Sequence, residues 1–79
     1  MVKAIVINLT SEGAASLGTH ELSHLPRSGD WIEVVDEQNQ DICCDVVQVL
    51  IGCHGIDIYV TNPRPTTSAR LNLMAQFGK

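Results

Sequence analysis

The sequence predicts a mainly β domain: a small five-stranded antiparallel barrel or roll carrying a short C-terminal helix. Three observations lead there. Apolar residues recur with a period of two in several short runs, as they do in half-buried strands. The segments between those runs are of hairpin length and rich in Gly, Pro, Asn and Asp. The chain is 44% hydrophobic but only 4% aromatic, so its core must be built from Val, Ile, Leu, Ala and Cys, and that is strand chemistry.

At 79 residues, one compact unit spanning residues 1–79 is the economical reading, because two domains would starve both cores. A chain this short hides only about 60% of the surface its unfolded form exposes. Help from a disulfide, a metal or a partner subunit is therefore worth seeking.

The first run, residues 2–9 (VKAIVINL), puts Ile5, Ile7 and Leu9 on one face and Val2, Ala4 and Val6 on the other. A strand with apolar residues on both sides expects cover on both. Residues 10–16 read as a turn, and residues 17–25 (LGTHELSHL) as a second strand of poor alternation that Pro26 ends. Arg27, Ser28, Gly29 and Asp30 then turn the chain into a third strand, residues 31–35, where Ile32 and Val34 are the core candidates and Trp31, Glu33 and Val35 face outward.

Residues 36–40 (DEQNQ) form a hairpin loop. The fourth strand, residues 41–51, alternates cleanly at Ile42, Cys44 and Val46 and then turns apolar throughout. Either a bulge near Val46 to Gln48 flips its inward face, or its far end is covered on both sides. After the tight GCHG connection, Ile56, Ile58 and Val60 alternate with Asp57, Tyr59 and Thr61 in a fifth strand, which Asn62, Pro63, Arg64 and Pro65 are expected to stop. From Thr67 or Ser68 to a stop at Gly78 the spacing of Arg70, Leu73, Met74 and Phe77 predicts a helix, with a sixth strand as the alternative.

The segment LPRSGDWIEV, followed by a hairpin and two further strands, resembles the entry into the middle strands of small uncharacterised bacterial and mobile-element (cassette-type) proteins with SH3-like β-barrels. Leu25, Pro26, Gly29 and Asp30 carry the likeness over about half of the chain. The resemblance implies an SH3-like barrel and no particular activity, since such barrels host unrelated functions.

The net charge is -4, and every Lys and Arg (Lys3, Arg27, Arg64, Arg70, Lys79) lies outside residues 28–63. Asp30, Glu33, Asp36, Glu37, Asp41, Asp45 and Asp57 fall inside that stretch, so nucleic acid is not an expected partner. No apolar run approaches the roughly 18 residues of a membrane span, and no secretory leader pattern is present, so a cytoplasmic protein without a membrane partner is expected. Of the cysteines, Cys43 and Cys44 are neighbours whose side chains point to opposite faces of a strand, and a third, Cys53, stands apart, which argues against a disulfide framework.

A single curled sheet has one inner face, yet the first strand and the end of the fourth carry apolar residues on both. The terminal helix could lie across the outer side with Leu73, Met74 and Phe77 facing inward, a second copy could cover it or pair with an open edge at the first strand, and the two accounts can both hold. A homo-oligomer, with a dimer favoured, is the expectation.

Among candidate sites, Trp31 and Tyr59, rimmed by Glu33 and Asp57, would make an outward aromatic patch for a protein or peptide partner; the plainer reading packs Trp31 beneath the terminal helix. His20, His24, Cys53 and His54 are the metal-ligand candidates, but adjacent pairs do not match the two-to-four residue spacing of zinc sites, and buried cysteines ordinarily act as small hydrophobes. Asp36, Glu37 and Asp41 lack the ligand order of a calcium loop and read as a solvated hairpin. No glycine-rich phosphate loop or Gly-x-Ser-x-Gly elbow is present, nothing visibly activates a thiol, and no cofactor or enzymatic activity is expected. Two function classes follow: a non-enzymatic, self-associating module that binds a protein or peptide through a sheet edge or through the Trp31 and Tyr59 face; alternatively, a small-molecule or metal-binding protein with its site around the His and Cys residues.

Overall fold

A computed structural model describes residues 1–10 and 13–77. The elements in chain order are β1 (Val2–Asn8), β2 (Ala15–Leu22), β3 (Trp31–Val35), β4 (Asp41–Gly52), β5 (Gly55–Pro65) and α1 (Thr66–Phe77). The expected helix stop at Gly78 and the middle of the first turn, residues 11–12, lie outside the described residues.

The mainly β class, the five strands and the single C-terminal helix are as the sequence predicts. Strand order differs from a meander. One sheet runs β2-β1-β5-β4-β3, and β1 pairs with β5 in parallel while its neighbours pair antiparallel. The sheet is therefore mixed and curls into a half-barrel instead of an all-antiparallel closed barrel. β1 is consequently interior, and the expectation of an open edge there is corrected: the free edges are β2 and β3. The physical reason lies in the residues. A strand apolar on both faces gains most from a central place, whereas mostly exposed β2 gives up little at an edge.

The concave face holds the core, Ala4, Val6, Ile32, Val34, Cys44, Val46, Ile58 and Val60, with Leu17, Leu22, Ile42, Val49 and Ile56 packed around it. Its alternation is maintained by three irregularities. Gly18, at φ 89°, is an extra residue of β2 between the Ile5–Thr19 and Ile7–Ser16 pairs, which explains the poor alternation of that strand. The extra residue of β4 falls between the Val46–Val60 and Gln48–Tyr59 pairs, so the inward face passes from Ile42, Cys44 and Val46 to Val49. This is the bulge alternative for that strand.

The third irregularity carries β5 through the residues expected to stop it. Asn62, at φ 55°, is in the left-handed region that Asn tolerates better than most residues, and with Pro63 it sits opposite Cys44, between the Asp45–Thr61 and Cys43–Arg64 pairs. Its N–H donates to Thr10 Oγ1 at 2.8 Å. The prolines are tolerated because the β1 ladder ends at Val60, leaving that side of β5 open. On the other side, Val46 N–H donates to Asp30 C=O, and antiparallel ladders alternate, so Ile42 turns its backbone groups toward β3. Pro65, facing Ile42, is asked for no donor.

α1 begins immediately after Pro65 and buries only Ala69. Its first turn lies over the convex face near Cys43, itself 7% exposed and outside the main core, and Arg70 Nη2 lies 3.7 Å from Glu33 Oε2. From Arg70 to Phe77 every residue is exposed. The expected lid is therefore corrected: Leu73, Met74 and Phe77 do not cover the sheet. The axis of the helix is set where β5 ends, and it carries those residues past the convex face, giving a molecule 45 × 25 × 20 Å.

Candidate interaction surfaces

Register alone assembles the convex face. From the centre of the sheet it presents Ile5 and Ile7 of β1, Asp57, Tyr59 and Thr61 of β5, Leu50, Gln48 and Asp45 of β4, and Trp31, Glu33 and Val35 of β3. All four predicted binding residues lie on this face, but in two groups. Trp31 and Glu33 sit at the β3 edge, while Asp57 and Tyr59 are central, with β4 between them; Tyr59 O–H donates to Asp57 Oδ2 at 3.3 Å.

Arg64 fills the ground beside Trp31. Its guanidinium lies 4.4 Å from the indole centroid, its Nη1 is 2.9 Å from Asp45 Oδ1, and the same nitrogen donates to Asn62 C=O at 2.8 Å. The Asp45 contact is an ion pair without the alignment of a hydrogen bond. Sequence reasoning missed this stack because Arg64, between two prolines, read as part of a strand terminator. The alternation of those prolines was the available signal: missing donors at positions 63 and 65 fit one open side of a continuing strand.

Between these polar residues, exposed apolar side chains remain uncovered. Ile5, Trp31, Val35 and Leu50 are each about two-fifths exposed or more, and on α1 Leu71, Met74 and Phe77 reach 61%, 67% and 79%.

The metal-ligand candidates are dispersed. His20 in β2 shares a 2.7 Å hydrogen bond with Leu17 C=O, His24 one of 3.0 Å with Ser23 Oγ, and Cys53 and His54 occupy the β4–β5 turn. Among the described residues no three His, Cys, Asp or Glu side chains converge as a metal site would need. Cys53 and His54 instead border a groove of about 500 Å³ that Lys3, Ile5, Ile56 and Asp57 also line. A second cavity, about 370 Å³, lies in the seam between the end of β2 and the open edge of β3, lined by Leu22, His24, Pro26, Asp30, Trp31 and Glu33. In the β3–β4 hairpin, Asp36 Oδ1 accepts the backbone N–H groups of Gln38 and Gln40, each at 2.9 Å, so that carboxylate holds its own turn.

All three thiols are free. Desolvation pushes up both buried ones; for Cys44, to about 11 from 9.0, the neighbouring Cys43 adds to that burial, and at Cys43 Arg64 opposes it. Ellman's reagent at neutral pH is expected to label exposed Cys53 alone, with Cys43 and Cys44 reacting only on unfolding. Because the folded state holds the Cys44 proton more tightly, its contribution to stability is complete below pH 9 and is lost as pH rises toward 11. Urea midpoints should fall over that window, less so in Cys44→Val; identical pH profiles for the two proteins would refute this account.

By fold this is a small mainly β protein: a curled mixed sheet with a projecting C-terminal helix and a convex face on which exposed apolar and polar residues are mixed. Comparison with known proteins finds no matching family model, curated protein or solved structure. Among the described residues no helix is long and apolar enough to cross a membrane.

Proposed function

We propose that this chain is a non-enzymatic binding module that works as a symmetric homodimer, each copy burying the α1 helix of the other. One observation carries the reading. A compact monomer of 8.6 kDa exposes about 4,700 Å², whereas this chain exposes 5511 Å². The surplus, about 800 Å², is what one partner brings to an interface of standard size.

The chemistry of the surplus favours a second copy. At helical spacing Ala69, Leu73 and Phe77 form one stripe with Met74 at its flank, and Leu71 and Ala75 lie on the opposite side. A helix that is apolar on two sides belongs between two layers, and one chain supplies only one. Residues 71–77 (LNLMAQF) carry no charge, so burying them desolvates none. The uncovered convex face is on the same chain, which makes the two surfaces self-complementary under a two-fold axis. A non-enzymatic role is supported by Cys43 and Cys44, whose burial keeps them protonated, the reverse of what a nucleophilic thiol needs.

Native mass spectrometry and light scattering at micromolar concentration test the reading. The expected mass is twice 8.6 kDa. A species of single-chain mass across the whole accessible concentration range would overturn it.

A further inference from the structure

We infer that the open edge of β3 takes up an extended peptide segment from a partner protein, with a cationic side chain at the centre of the segment and apolar residues around it. The backbone supplies the first part of the case. Val46 N–H donates to Asp30 C=O at 2.8 Å, so along the antiparallel ladder Ile32 and Val34 exchange bonds with Cys44 and Ile42. Trp31, Glu33 and Val35 therefore direct their N–H and C=O groups away from β4, and β3 has no strand on that side. An added strand would find those groups ready to pair.

The side chains define its sequence. Trp31, Glu33 and Val35 share the convex face, so a facing strand meets Trp31 and Val35 with apolar residues and Glu33 with Lys or Arg. Its intervening residues point to the side of Ile32, and the 370 Å³ seam cavity along the edge, lined by Trp31 and Glu33 as well, offers them Leu22 and Pro26. Asp30, Asp36, Glu37 and Asp41 lie in the turns that flank β3 and at the start of β4, and together with Glu33 they outnumber the cations beside the strand, Arg27 in the preceding turn, Arg64 held by Asp45, and Arg70. The existing contact of Glu33 with Arg70 is exposed and long, so a partner cation can displace it at little cost.

A second copy is a poor occupant of this edge. Two-fold pairing of β3 with itself in full register centres Glu33 on Glu33, where like charges directly opposite are destabilising, and a shifted register gives up one of the three outward-facing pairs. The edge site uses the outward backbone groups of β3, which the α1 interface leaves free, although Trp31, Glu33 and Val35 also belong to the convex face.

The test uses a synthetic peptide, KTVIRIVTK, whose central Arg would face Glu33 and whose flanking Val residues would face Trp31 and Val35. Calorimetry and amide exchange by NMR are run on the full chain and on a variant with Leu71, Met74 and Phe77 changed to Gln. Saturable binding is expected in both, with new exchange protection at the amides of Trp31, Glu33 and Val35. Affinity should fall at least about tenfold for KTPIRIPTK, which lacks two backbone donors, for KTVIEIVTK, and for Glu33→Lys. Equal binding of the parent and proline peptides, or no binding of the parent, would overturn the inference. Binding that disappears only in the α1 variant would overturn the edge site in favour of the dimer interface.

Discussion

Changing Leu71, Met74 and Phe77 together to Gln is expected to convert the dimer to a species of 8.6 kDa, weakening association at least a thousandfold, about 4 kcal/mol. Each of these side chains gains about 1.5–3 kcal/mol on full burial, and a two-fold interface removes every one of them twice. Only part of that gain is expressed, because association also costs translational and side-chain freedom. Glutamine keeps the helix propensity close to that of Leu and Met, so any loss reflects contacts and not an unwound helix. Within one chain these residues are 61%, 67% and 79% exposed, so the variant should keep its β-sheet circular dichroism and the emission of Trp31. Light scattering over a dilution series decides the matter. An unchanged dimer would remove α1 from the interface.

The second large effect is on stability. Ile58→Ala is expected to cost about 3–4 kcal/mol, read from urea unfolding with the slope unchanged. Ile58 is fully buried in the middle of β5, beside fully buried Val6 on β1 and across from Val49 on β4. The methylene groups lost there leave a cavity in the centre of the sheet, with strands on both sides held by their own ladders. Against a total stability of about 4–12 kcal/mol for a chain of this length, the loss brings the protein near its unfolding threshold. Ile5→Ala, one residue from Val6 but on the convex face and 42% exposed, should cost far less in the monomeric α1 variant. A loss below about 1 kcal/mol at Ile58 would mean that the concave face is not the core.

Much of the strand-level structure is legible in the residues. The parity of β3 and β5 follows from alternation: Ile32, Val34, Ile58 and Val60 are buried, and Trp31, Glu33, Asp57 and Tyr59 share the outer face. The bulge of β4 is visible where its apolar phase slips after Val46. The excess of apolar surface is visible too, and the exposed residues of the convex face and α1 are where it went. Less was visible of the site itself. Trp31 and Tyr59 are on one face but not in one patch, and the stack of Arg64 on Trp31 required the bulge at Asn62 to carry β5 past two prolines.

Period-two patterning is a local property, since each side chain's face depends only on its own strand; for that reason the sequence by itself determined the inward residues of β3, β5 and the first half of β4, whereas β1, apolar on both faces, left its inward side to the assembled sheet. Strand order depends on residues far apart in the chain, and the parallel neighbour of β1 is β5, about fifty positions away. Its choice rests on which strands most need cover on both sides, a comparison that only the assembled sheet makes. The direction of α1 was decided in the same way. Its apolar spacing announces burial, but the end of β5 aims it past its own sheet, and so its Leu, Met and Phe side chains remain exposed on a single chain.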